Sequence, residues 1–88
     1  MRLKFDFLIG EVAGRIIAIP ASEQKDEFNG YITLNKTGKI IFELLKDDVT
    51  YEQIFDALKE QFPDAQPQEM RDNMSEFLHK LESENLLV

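Results

Sequence analysis

Leu3, Phe5, Phe7 and Ile9 alternate with Lys4, Asp6, Leu8 and Gly10, and a period of two predicts a strand with one buried face. Ala13-Gly14 supplies a turn after it. From Arg15 to Ile19 a second, β-branched run follows and is stopped by Pro20, so the two stretches read as a hairpin. Residues 21–30 are polar and end in Asn29-Gly30, a strong turn signal. Tyr31 to Leu34 then predicts a short third strand, with Ile32 and Leu34 on one face and Tyr31 and Thr33 on the other.

Beyond the joint Asn35-Lys36-Thr37-Gly38 the apolar period changes to that of helices. Ile40, Ile41, Leu44 and Leu45 form the stripe of a first helix, with Asn35 or a neighbour as its N-cap. Thr50-Tyr51-Glu52-Gln53 is a capping box, in which Thr50 and Gln53 satisfy free backbone donors at the start of a second helix. The stripe of that helix is Ile54, Phe55, Leu58 and Phe62, and Pro63 stops it. A third helix is predicted from near Pro67, a residue suited to a first turn, through Met70, Met74, Phe77, Leu78 and Leu81. Asn85 suits a left-handed terminator, after which Leu86-Leu87-Val88 packs back as a tail. The order β-β-β-α-α-α in one domain, 1–88, predicts an α+β fold: a three-stranded antiparallel sheet followed by a three-helix bundle, winged-helix-like.

Composition removes several function classes. Cysteine is absent and there is a single histidine, His79, which leaves no Cys/His catalysis, no disulfide and no zinc site of the usual kind. His79 lies between Leu78 and Lys80 on the third helix with no base–orienter set around it, so it reads as a partly exposed helical residue. The acidic residues fall on polar helix faces, Asp47-Asp48 falls in an inter-helix loop, and no calcium loop or phosphate-cradling glycine loop is present. Met70 and Met74 share a stripe with Phe77 and Leu81 and are expected in the core. The reading is therefore a protein that is not an enzyme and takes no cofactor.

Charge sharpens that picture. Residues 1–42 carry six Lys/Arg against five Asp/Glu, whereas residues 43–88 carry four against twelve. The helical half is thus acidic and a poor electrostatic match for a nucleic acid backbone. Near the start no continuous hydrophobic run could serve as a signal core, and no stretch reaches membrane-span length. Cytoplasmic location, without membrane or nucleic acid partners, is the expectation.

The run Leu34-Asn35-Lys36-Thr37-Gly38-Lys39-Ile40-Ile41-Phe42-Glu43-Leu44-Leu45 resembles the signature of the coenzyme PQQ synthesis protein D family. That signature is approximately Leu-Asn-x-Thr-Gly, an apolar-aromatic step and a Glu-Leu-Leu helix. Thr50 to Leu58 with Phe62 is similar to the family's second helix, and Phe77-Leu78-x-x-Leu81 followed by Leu86-Leu87-Val88 to its closing helix and tail. Phe42 stands where the family often has Trp, and Asn85-Leu86-Leu87 where many members have Gly-Leu-Ile. The resemblance implies a recognition element that binds the leader of a ribosomally made precursor peptide, in the route to pyrroloquinoline quinone or to another peptide-derived product. It further implies a radical S-adenosylmethionine enzyme as the partner that does the chemistry, and a leader that adds as an extra strand beside the third strand and leans on the third helix.

On that reading the site is the edge Tyr31, Ile32, Thr33 and Leu34, whose unpaired N–H and C=O groups an extended peptide can satisfy. Arg71, Met74, Ser75 and Leu78 are expected along an adjoining face of the third helix as a mixed polar and apolar wall. Two rival uses of the same fold remain. One is a winged-helix nucleic-acid-binding or regulatory protein, which needs a basic recognition helix; here Arg71 and Lys80 stand against Glu69, Asp72, Glu76, Glu82 and Glu84. The other is a homodimer in which the exposed strand pairs with its own copy.

Overall fold

A computed structural model describes residues 1–21 and 30–88. Its hairpin is β1 (Phe7–Val12) against β2 (Arg15–Pro20), antiparallel, with Phe7 opposite Pro20 and Val12 opposite Arg15. Ala13 and Gly14 between them take φ of 53° and 79°, the left-handed values that a two-residue hairpin loop needs to follow the strand twist. The strand β3 (Ile32–Leu34) pairs with β2 in the antiparallel sense, Ile32 opposite Ala18 and Leu34 opposite Ile16. The order β1-β2-β3 leaves β1 and β3 as the two edges. The predicted Asn29-Gly30 turn falls partly outside the described residues.

The first strand begins at Phe7, where the alternation predicts Leu3. Pro20 lies opposite Phe7, and past that pair Ala21 N–H still donates across the hairpin to Asp6 O at 3.0 Å. Residues 2–4 find other partners: Leu3 N–H donates to Leu45 O at 2.9 Å, Lys4 N–H to Leu86 O at 2.8 Å, and Val88 N–H to Arg2 O at 2.8 Å. This segment ties the end of the first helix to the tail.

The helices are α1 (Lys36–Leu44), α2 (Tyr51–Gln61) and α3 (Pro67–Ser83). Asn35 caps α1, its Oδ1 accepting the Gly38 N–H at 2.7 Å. Thr37 and Gly38 therefore sit inside the first turn instead of in a joint before it. At α2 the capping box is complete: Thr50 Oγ1 accepts the Gln53 N–H at 3.1 Å and Gln53 Oε1 accepts the Thr50 N–H at 2.8 Å. The C-terminus of α3 closes in a Schellman arrangement, with Asn85 at φ 61°, the Leu86 N–H on Leu81 O and the Asn85 N–H on Glu82 O, both at 2.9 Å.

One apolar core lies between sheet and helices. Phe7, Ala18, Ile32 and Leu34 enter it from the strands, and Ile41, Phe42, Leu45, Ile54, Leu58, Met70, Met74, Leu78 and Leu81 from the helices. Phe42 is fully buried and meets the Phe7 ring edge-on, with centroids 5.0 Å apart. Among the described residues no polar or charged side chain is buried. None of the described helices is long and apolar enough to cross a membrane.

Candidate functional site

β3 has β2 on one side and, among the described residues, no strand on the other. Ile32 and Leu34 turn into the core, while Tyr31 and Thr33 are exposed. In an antiparallel edge strand, alternate residues aim their N–H and C=O outward, so this short edge offers backbone hydrogen bonds with little side-chain obstruction.

Facing that edge is α3. A cleft of about 580 Å³ opens between Thr33, the first turn of α1 and the α3 residues Asn73, Phe77 and Lys80. A smaller hollow of about 360 Å³ continues it past Tyr31, with Lys80 and Glu84 opposite. Thr33 and Lys80 border both, so the two form one groove along the strand edge. Its helix wall is polar at Asn73 and Lys80 and apolar at the half-buried Phe77 ring. Glu76 and Ser83 line it beside them, as does the exposed His79. At Gly38 the wall comes closest to α1: a side chain there would meet the Phe77 ring.

β3 covers Ile32–Leu34 with Tyr31 just before it, and the α3 residues Arg71, Met74, Ser75 and Leu78 do not line this groove. Met74 and Leu78 are buried, at 0% and 5% exposure, and pack into the core. Arg71 and Ser75 lie on the flank of α3 that meets α2. The Arg71 guanidinium donates to Glu52 from both nitrogens, at 3.1 and 3.4 Å. Its carbon sits 3.9 Å above the centre of the Phe55 ring and 5.7 Å from that of Tyr51. Hydrogen bonding to Glu52 raises the Arg71 pKa still further above its ordinary value. The Tyr51 hydroxyl lies 3.3 Å from Ser75 Oγ.

The reason is helical geometry. At about 100° per residue, Arg71 and Ser75 fall on one side of the Met70/Met74/Leu78/Leu81 stripe, and Asn73, Phe77 and Lys80 on the other. Sequence shows both flanks, but only the placement of α3 says which one faces the sheet. One signal was available, because Phe77 is the large apolar residue of α3 farthest from the centre of its buried stripe.

The wall also bears on nucleic acid binding. Of the two cations on α3, Arg71 is held by Glu52 and only Lys80 faces the groove, among several carboxylates. Nor does any group of three or more His, Cys, Asp or Glu suited to a metal ion occur among the described residues.

Comparison with known proteins places this geometry. The solved structure of TbiB1 in complex with the TbiA(beta) leader peptide superposes with a TM-score of 0.70, covering 99% of this chain and 94% of that one at 18% identity. The two share a fold. No curated protein matches the sequence. The family model "Coenzyme PQQ synthesis protein D (PqqD)" matches residues 14–87, a span from the hairpin turn to the tail that contains both walls of the groove. The chain belongs to the coenzyme PQQ synthesis protein D family.

Proposed function

We propose that this protein is a non-catalytic adaptor that binds the leader of a ribosomally synthesised precursor peptide and presents it to a modifying enzyme. The observation that carries the reading is the β3 edge, unpaired among the described residues, facing α3 across a groove. An extended leader adds there as a fourth strand, and its backbone bonds supply affinity that tolerates sequence. Alternate side chains of that strand point toward α3, where Phe77 offers apolar contact and Asn73 and Lys80 offer polar contact. A leader bound this way keeps its remaining length free for the enzyme.

Family membership and the fold shared with a leader-bound protein support this reading. A radical S-adenosylmethionine enzyme is the partner we assign to the chemistry, and the encounter belongs in the cytoplasm, where ribosomal precursors are made. The nucleic-acid alternative is disfavoured by the acidic character of α3 and by the commitment of Arg71 to Glu52.

Titration of the isotope-labelled protein with leader segments of precursors encoded beside its gene tests the proposal by NMR. Amide shifts are expected at residues 31–34 and at Asn73, Phe77 and Lys80. Shifts confined to the outer surfaces of α1 and α2 would overturn it.

A further inference from the structure

Gly38 is the one glycine of the family-like run, and its backbone does not require glycine. It lies in the first turn of α1 and is not among the residues with positive φ, where Gly14 and Gly30 are found. Alanine is the better helix former at such a position. What Gly38 provides is clearance. A Cβ there would stand 3.3 Å from Phe77 Cε1, 3.5 Å from Phe77 Cζ and 3.1 Å from Asn35 Oδ1.

These contacts differ in kind. Asn35 Oδ1 is near because it accepts the Gly38 N–H at 2.7 Å, so a Cβ at position 38 would crowd this cap whatever stands at position 77. The Phe77 ring arrives from another helix and has no such bond to hold it there. One side of the ring packs against the core, and the other lines the cleft beside Thr33 and Asn73.

We propose that Gly38 is a positioning residue for peptide binding, acting through Phe77. The missing side chain lets the ring settle against the first turn of α1, which fixes the depth of the cleft between β3 and α3. A Cβ at position 38 displaces the ring toward the cleft, into the space where a side chain of the added strand sits. The inference rests on the leader-binding reading above and deepens it: the cleft admits an apolar side chain because this glycine keeps the ring back.

The probe is an extended peptide selected from a random display library on the wild-type protein and mapped by amide shifts to residues 31–34. Gly38→Ala is expected to stay folded with a thermal midpoint within a few degrees of wild type, yet to bind this peptide roughly tenfold more weakly, the scale of an overpacked contact. Leucine has no atoms at the Cε1 and Cζ positions, so Phe77→Leu provides the control background. There, adding Gly38→Ala should change affinity by less than about twofold, a coupling that a double-mutant cycle isolates. Equal affinity for Gly38→Ala and wild type, or the same loss in both backgrounds, overturns the inference. So does a midpoint that falls in step with affinity, which would make Gly38 a packing residue only. If no selected peptide shifts residues 31–34 of the wild type, the leader-binding reading itself fails, and the glycine's role with it.

Discussion

Leu78→Ala distinguishes a core residue from a groove residue. Leu78 is 5% exposed and lies in the cluster with Met74 and Leu81. The substitution removes three carbon groups, and at about 0.8 kcal/mol each the lost transfer free energy is about 2.4 kcal/mol. The cavity left behind adds to it, which brings the expected loss to about 3 kcal/mol, within the range for buried leucines. Domains of this size lose about 4–8 °C of thermal midpoint per kcal/mol, so the drop should be roughly 12–24 °C. Urea unfolding followed by circular dichroism measures the free energy directly, and an unchanged m-value would assign the loss to stability alone. Peptide affinity, measured at a temperature where the variant stays folded, should weaken only by the fraction unfolded. The opposite pattern, stability within about 0.5 kcal/mol of wild type together with lost binding, would place Leu78 in the groove and refute the reasoning.

Two further outcomes follow from contacts elsewhere in the chain. Thr50→Ala removes one half of the capping box of α2 and should cost about 1 kcal/mol, read as a lower urea midpoint with peptide affinity unchanged. Arg71→Ala should lower the thermal midpoint and shift the amides around Tyr51 and Phe55, because it empties the space above that ring; affinity for a groove-bound peptide should stay within about twofold of wild type, as expected for distant, independent sites. A large affinity loss in Arg71→Ala would return that residue to the binding wall.

Much of the architecture was legible because it is written in local rules. Thr50 and Gln53 form their capping box from adjacent residues, and Asn85 takes the left-handed turn that a Schellman end needs. The hairpin and the capped start of α1 follow from equally local signals. The later start of β1 has a non-local cause: Leu3 and Phe5 continue the alternation of Phe7 and Ile9, but Leu3 pairs with the tail at Leu87 and not with the hairpin. The α3 residues expected along the groove do not line it, for a related reason. Arg71, Met74, Ser75 and Leu78 make a coherent helical stripe on paper, yet burial takes two of them and α2 takes the other two.

By itself, the sequence determined the elements, their caps, the apolar stripe of each helix and a short third strand placed at residues 31–34, one residue longer than β3, since periodicity and capping depend on neighbours within a few positions. The rotation of α3 about its own axis was decided by tertiary structure. Burying Met70, Met74, Leu78 and Leu81 against the other elements turns the flank with Arg71 toward the rings of α2 and the flank with Asn73, Phe77 and Lys80 toward the strand edge. Helical spacing can say which residues share a face, but which neighbour a face meets depends on how three helices and a sheet pack their apolar sides together.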